Sequence, residues 1–127
     1  MLPSVIKSVS SAHGMNVAYI SPDGKKITYK ELDVISDEMA VWLRNERISE
    51  GSVVGLSLPS CIEYIVSYIA LAKVGAITAG INPRFTSRER LKTLRTLDPN
   101  LVITAKGYDD GVGDQYRNTL ILSLIHI

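Results

Sequence analysis

Cysteine occurs once in this chain, at Cys61, and histidine only twice, at His13 and His126. A lone cysteine closes no internal disulfide. Cys61 also has no His or Cys neighbour at metal-ligand spacing, which argues against a zinc site and fits a reducing compartment. Neither histidine stands in a recognisable pattern with a serine, cysteine or carboxylate, so no nucleophile-base set is visible. Charge of one sign is missing as well: 14 Lys and Arg face 13 Asp and Glu, for a formal net charge of +1. Nucleic-acid binding by phosphate neutralisation needs a basic face, and none is present. The usual backbone cradles for nucleotide phosphates, Gly-x-x-x-x-Gly-Lys-Ser/Thr and Gly-x-Gly-x-x-Gly after a strand, are absent too. The longest apolar region, Ile62 to Ile81, holds Glu63 and Lys73 and is broken by Gly75 and Gly80, so a buried helix followed by a buried strand explains it better than a membrane span. Met1 to Lys7 lacks the basic start, long apolar core and cleavage site of a secretory signal, and a cytoplasmic location is expected.

What is present suits a packed core. Hydrophobic residues make up 46% of the 127 positions, enough for one domain or a piece of a larger one. Leu2 to Ser11 reads as a short helix. Two strands, Ala18 to Ser21 and Lys26 to Thr28, flank Pro22-Asp23-Gly24-Lys25, whose Asp-Gly pair is a hairpin signal because Gly accepts positive φ without steric cost. Thr28 and Glu31 have capping-box spacing and start a helix at Tyr29. Leu32, Ile35, Met39, Trp42 and Leu43 line one face of it, and Lys30, Asp33, Asp37, Arg44 and Glu46 the other. Val53 to Leu58 reads as a buried strand stopped by Pro59. Ser60 and Glu63 repeat the capping-box spacing before an apolar helix over about Cys61 to Val74, which Gly75 closes.

A small-residue strand, Ala76 to Ile81, ends at Asn82-Pro83, where the residue before proline is pushed out of the helical region. Thr86 and Glu89 open another helix, with Leu91, Leu94 and Leu97 on one side, and Asp98-Pro99-Asn100 ends it before the strand Leu101 to Thr104. The order strand, helix, strand, helix, strand with short connections predicts an α/β fold, a parallel β-α-β-α-β layer preceded by a small hairpin and helix. Lys106 to Asn118 shows no period. Its Asp109, Asp110 and Asp114 lack the alternate spacing and distal Glu of a calcium loop and read as a solvated loop. No metal-ligand cluster and no catalytic residue is expected in this chain.

One site-like feature remains. Arg84 and Arg88 flank Thr86-Ser87 at the start of a helix, where unpaired N–H groups and the positive end of the dipole favour an anion, and arginine adds bidentate phosphate recognition. The alternative is that both are solvated, with Glu89 as intrahelical partner. Trp42 and the tyrosines fall at core or loop positions.

Ile27-Thr28-Tyr29-Lys30-Glu31-Leu32, the strand Val53 to Leu58 with Pro59-Ser60, and the run Leu71 to Arg84 together resemble the N-terminal region of the adenylate-forming acyl-CoA synthetases. The resemblance covers about Ala18 to Thr104, and Ile81-Asn82-Pro83-Arg84-Phe85-Thr86 is closer to carboxylate–CoA ligases than to the amino-acid-activating or luciferase branches. It implies the N-terminal part of a large α/β domain, incomplete here. The implied parent activity is ATP- and Mg2+-dependent activation of a fatty or aryl carboxylic acid to acyl-AMP, with transfer to coenzyme A. The family's Ser/Thr/Gly-rich phosphate loop with Pro-Lys-Gly, its ribose-binding aspartate and its C-terminal lysine have no counterpart in these residues, so this chain alone is expected to be inactive and to bind no cofactor fully. The resemblance implies a CoA phosphate contact for Arg84 alone, while Thr28, Glu31 and Gly75 match family motifs through capping and backbone geometry. The alternative is a small noncatalytic anion- or CoA-binding module.

The last six residues, Leu122 to Ile127, match a translation of the transposase library adapter CTGTCTCTTATACACATC, one arm of which continues with TGA. The expected division is therefore 1–121 as a partial AMP-binding domain and 122–127 as a non-native tail; the alternative is a natural short protein, whose half-built sheet would expose edges and apolar surface. Sequencing source DNA across codon 121 checks this. A frame continuing into a Ser/Thr/Gly-rich loop with Pro-Lys-Gly is expected, and genomic codons for the six residues and their stop would overturn it.

Overall fold

The computed structural model describes residues 2–82, 84–105 and 119–122. Helix α1 (Leu2–His13) leads into the hairpin β1 (Val17–Ile20) and β2 (Lys26–Thr28), followed by α2 (Tyr29–Asn45). Then come β3 (Val53–Ser57), α3 (Ile62–Val74), β4 (Ile77–Gly80), α4 (Ser87–Leu97), β5 (Leu101–Ala105) and β6 (Thr119–Leu122). Lys106 to Asn118, with Asp109, Asp110 and Asp114, and Ser123 to Ile127, with His126, lie outside the described residues.

Local chemistry sets most of the boundaries. In the hairpin turn Gly24 adopts φ +87°, its N–H donates to the Ser21 carbonyl at 2.9 Å, and Asp23 Oδ1 accepts from the Lys25 N–H and from the Ser21 hydroxyl. At α2, Thr28 Oγ1 accepts from Glu31 N at 3.1 Å and Glu31 Oε1 accepts from Thr28 N at 3.0 Å, the expected reciprocal cap. Helix α3 departs from expectation. It starts at Ile62 with Cys61 as N-cap and no side-chain cap, so Glu63 stands second in the helix rather than third and Ser60 forms no capping box with it. Its far end is a Schellman motif: Gly75, at φ +77°, donates to Ala72 O at 3.1 Å and Ala76 donates to Leu71 O at 3.0 Å.

The hairpin forms its own two-stranded antiparallel sheet, and the other strands form a parallel sheet in the order β4-β3-β5-β6. Because β4 pairs on one side of β3 and β5 on the other, the two crossovers place α3 and α4 on opposite faces. Side chains of β3 and β5 divide accordingly. Val54, Leu56, Leu101 and Ile103 pack with Ala40 and Leu43 of α2 and Ala70, Leu71 and Val74 of α3. Val102 packs with Ile81 and Leu94, flanked by Phe85, Leu91 and Leu97, on the α4 face. A third cluster, with Ile6, Ile27, Leu32, Ile62, Val66 and Ile69, seats α1 and the hairpin against α2 and α3. Asn100 fixes the register of the centre, accepting from Val53 N at 2.8 Å through Oδ1 and donating its own N–H to Val53 O at 2.7 Å.

Two further findings differ from the sequence expectation. On α2 the buried residues are Leu32, Asp33, Ser36, Ala40 and Leu43, while Trp42 is exposed. Asp33 lies on the buried side, where a lysine from α3 meets it, and Trp42 faces outward. Strand β6, which no periodicity announced, pairs Val102 with Thr119 through Ala105 with Leu122. No described helix is long and apolar enough to cross a membrane.

The α4 face is tightest at Gly55, where an added Cβ would lie 3.3 Å from Leu94 Cδ2 and 3.7 Å from Val102 Cγ2. Gly55→Val should destabilise the fold by about 1–3 kcal/mol through overpacking, read as a lower denaturant midpoint with an unchanged slope.

Candidate functional site

The turn after β4 carries the residues that the sequence singles out. Ile81 N still donates to Leu56 O at 2.9 Å, prolonging the parallel pairing, and Ile81 is buried. The chain then reverses over Asn82, whose side-chain Oδ1 accepts from Arg84 N at 2.9 Å and whose carbonyl accepts from Phe85 N at 3.1 Å. Thr86 caps α4 reciprocally with Glu89: Glu89 N donates to Thr86 Oγ1 at 3.2 Å, and Thr86 N donates to Glu89 Oε1 at 3.1 Å. The backbone hydrogen bond from Thr86 holds the Glu89 carboxyl below its usual range.

Arg84 and Arg88 are both exposed at this turn, and among the described residues no ion pair joins either of them to Glu89. Glu89 is held instead by the cap. The arrangement thus offers two solvent-facing guanidinium groups beside a helix start whose dipole is partly answered by Glu89. Arg90, which no motif singles out, turns inward. It is buried at 4% exposure, one turn before Leu94 on the same face, and its Nη2 donates to Phe85 O at 3.5 Å. The signal was available in the spacing of Arg90 from Leu94 and Leu97.

A second constellation joins three helices. The Lys73 ammonium of α3 donates to Asp33 Oδ1 at 2.7 Å, Asp37 Oδ1 at 2.7 Å, Ser36 Oγ at 2.8 Å and the Asp33 carbonyl at 3.0 Å. Lys7 of α1 donates to both Asp33 carboxylate oxygens, Oδ2 at 3.0 Å and Oδ1 at 3.2 Å, and to Asp37 Oδ2 at 2.7 Å. Burial opposes ionisation of Asp37, but hydrogen bonds from Lys7 and Lys73 outweigh it and hold the carboxyl below its usual range. The same contacts, from Asp37 first and then Asp33, hold Lys7 above the usual lysine range. Ammonium groups ringed by carboxylates and a hydroxyl are satisfied, not poised for chemistry, so this cluster fastens helices. Its sequence signal is Lys73 in the last turn of a largely apolar helix and Asp33 four residues before Asp37. At Cys61 burial pushes the thiol upward, away from the reactive thiolate.

Two measurements check the cluster. Lys73→Met leaves the buried Asp33 carboxylate with the exposed Lys7 as its ionic partner and should lower stability by about 1–3 kcal/mol in denaturant unfolding. The depressed Asp37 carboxyl contributes stability that is complete above its unfolded value and fades as pH falls through its folded value. Asp37→Asn should therefore flatten the acid limb of the stability–pH curve below the ordinary carboxylate range, and an unchanged limb would contradict the assignment.

Comparison with known proteins agrees with this scaffold. A family model described as AMP-binding enzyme matches residues 7–123. The chain is 34% identical over 91 residues to 4-coumarate–CoA ligase 1 of Petroselinum crispum, covering 72% of this chain and 17% of that protein. Thus it spans about a sixth of the length of the curated relatives it matches. The N-terminal subdomain of Klebsiella oxytoca NpsA, solved in complex with anthranilyl-AMSN, superposes with a TM-score of 0.72 at 27% identity, over 80% of this chain and 26% of that one. The N-terminal domain of FACL13 from Mycobacterium tuberculosis gives a TM-score of 0.80 over 91% of this chain and 29% of that one, at 23% identity, a likeness of fold. With its parallel sheet, its capped turn from Asn82 to Thr86 and a family match running from Lys7 to Ser123, the chain belongs to the AMP-binding enzyme family.

Proposed function

We propose that this chain supplies the N-terminal sheet layer of an acid–CoA ligase, a cytoplasmic enzyme that uses ATP and Mg2+ to convert a fatty or aryl carboxylic acid to acyl-AMP and passes the acyl group to coenzyme A. The single observation that carries the reading is the family match over residues 7–123, which includes the turn from Asn82 to Thr86. A ligase similar in sequence is named for 4-coumarate and a solved relative holds an anthranilyl compound, which supports an aryl acid among the substrates. The residues present fit only a small part of the cofactor set. They provide the exposed Arg84 for a phosphate of coenzyme A and no loop able to cradle the ATP phosphates, so no step of adenylation is assigned to them.

Arg84 suits a phosphate because its guanidinium is permanently charged, offers a planar fork of donors and projects from a turn that the Asn82 side chain holds in shape. The role tests directly by calorimetry with coenzyme A and with pantetheine, which lacks the nucleotide phosphates. In the ligase containing this segment, Arg84→Ala should weaken coenzyme A binding by roughly tenfold and leave pantetheine binding unchanged. Equal loss for both ligands, or for neither, contradicts the phosphate contact. The 127-residue chain alone should show no acid-dependent exchange of pyrophosphate into ATP; measurable exchange would overturn the division of labour proposed here.

A further inference from the structure

The ion cluster that joins α1, α2 and α3 has two limbs of unlike exposure. Around the Lys73–Asp33 limb the side chains retain 7% and 11% of their exposure, whereas the Lys7–Asp37 limb retains 57% and 46%. Coulomb attraction in the first limb is shielded from solvent ions, while the second sits in water and is screened by salt. Beside these contacts α1 is seated through Ile6, its one buried residue, in the cluster with Ile27, Leu32, Ile62, Val66 and Ile69. A groove of about 390 Å3 separates α1 from α2 beside the cluster, floored by Pro3, Ala40 and Val41. Lys7 and His13 are the titratable side chains of α1 itself; those turned toward the groove from its neighbours are Asp37 and Arg44 of α2 and Lys73 of α3, with Asp33 behind them. Arg44 donates through Nη2 to the Lys73 carbonyl at 3.2 Å and so belongs to the α2–α3 side of the cluster.

We propose that the cluster is a two-stage clamp, in which Lys73 fastens α2 to α3 permanently and Lys7 is a releasable latch that docks α1 onto the same pair of aspartates. Opening the latch lets α1 part from α2, widens the groove whose α1 wall is Pro3, Ser4 and Lys7, and leaves the parallel sheet intact.

Hydrogen–deuterium exchange at neutral pH, resolved to peptides over α1, α3 and β3, reads each stage separately. Raising salt from about 0.01 M to about 1 M shrinks the screening length from about 30 Å to about 3 Å. Over that range α1 amides should exchange roughly fivefold faster, while those of α3 and β3 hold their rates. At low salt Lys7→Met should reproduce the high-salt exchange of α1 and remove its salt dependence, and Lys7→Arg should restore both. Lys7 is exposed, so its replacement leaves the core undisturbed. The proposal is overturned if α1 in Lys7→Met exchanges as in the unmodified chain, or if β3 and α3 accelerate in step with α1.

Discussion

Strand β3 must bury both faces at once, and the rest of the structure is arranged around that requirement. Its neighbours are parallel strands on either side, β4 and β5, and its side chains alternate between a helical layer formed by α2 and α3 and a second layer formed by α4. Val54 and Leu56 are fully buried on the first face, and Gly55 leaves room on the second for Leu94. A strand so enclosed has no solvated side, which is why Val53 to Ser57 reads as an apolar run with one glycine and a terminal serine instead of an alternation.

Helix α3 completes the first face, and its lysine creates the main electrostatic demand of the domain. An ammonium group with 7% of its side chain exposed persists only when its donors are satisfied, and Lys73 meets that demand with Asp33, Ser36 and Asp37. The consequence reaches backward along the chain: α2 turns two polar residues inward, Trp42 outward, and offers the outer carboxylate oxygens to Lys7 of α1. Helix orientation here follows from one buried charge as much as from the apolar stripe.

Features decided within a few residues were legible in the sequence. The Asp23-Gly24 turn, the Thr28–Glu31 and Thr86–Glu89 caps, the left-handed Gly75 and the leucine side of α4 all formed as the local chemistry dictates. Features decided by distant partners were not. Asp33 looks solvated until Lys73, forty residues later, is placed against it, and the sheet gains β6 through pairing with β5 rather than through a pattern of its own. The Ser60–Glu63 spacing misled because α3 starts one residue later than a capping box requires. At the candidate ligand turn the sequence located Arg84 and Arg88 on the surface side of α4 but not the inward course of Arg90, whose side chain lies beneath the turn that presents Arg84.

The family assignment and the proposed ligand contact therefore stand on different residues. Glycine, asparagine and capping threonines build the scaffold of the AMP-binding enzyme family, while the proposed phosphate contact falls to Arg84, one of two exposed arginines at the turn. The scaffold claim rests on β3 as the doubly buried centre, and native-state hydrogen exchange across a denaturant series measures it most directly. The Val54 to Ser57 amides should exchange only through global unfolding, with a denaturant slope equal to that of equilibrium unfolding. A shallow slope at β3, or protection there lower than at β4, would contradict the account.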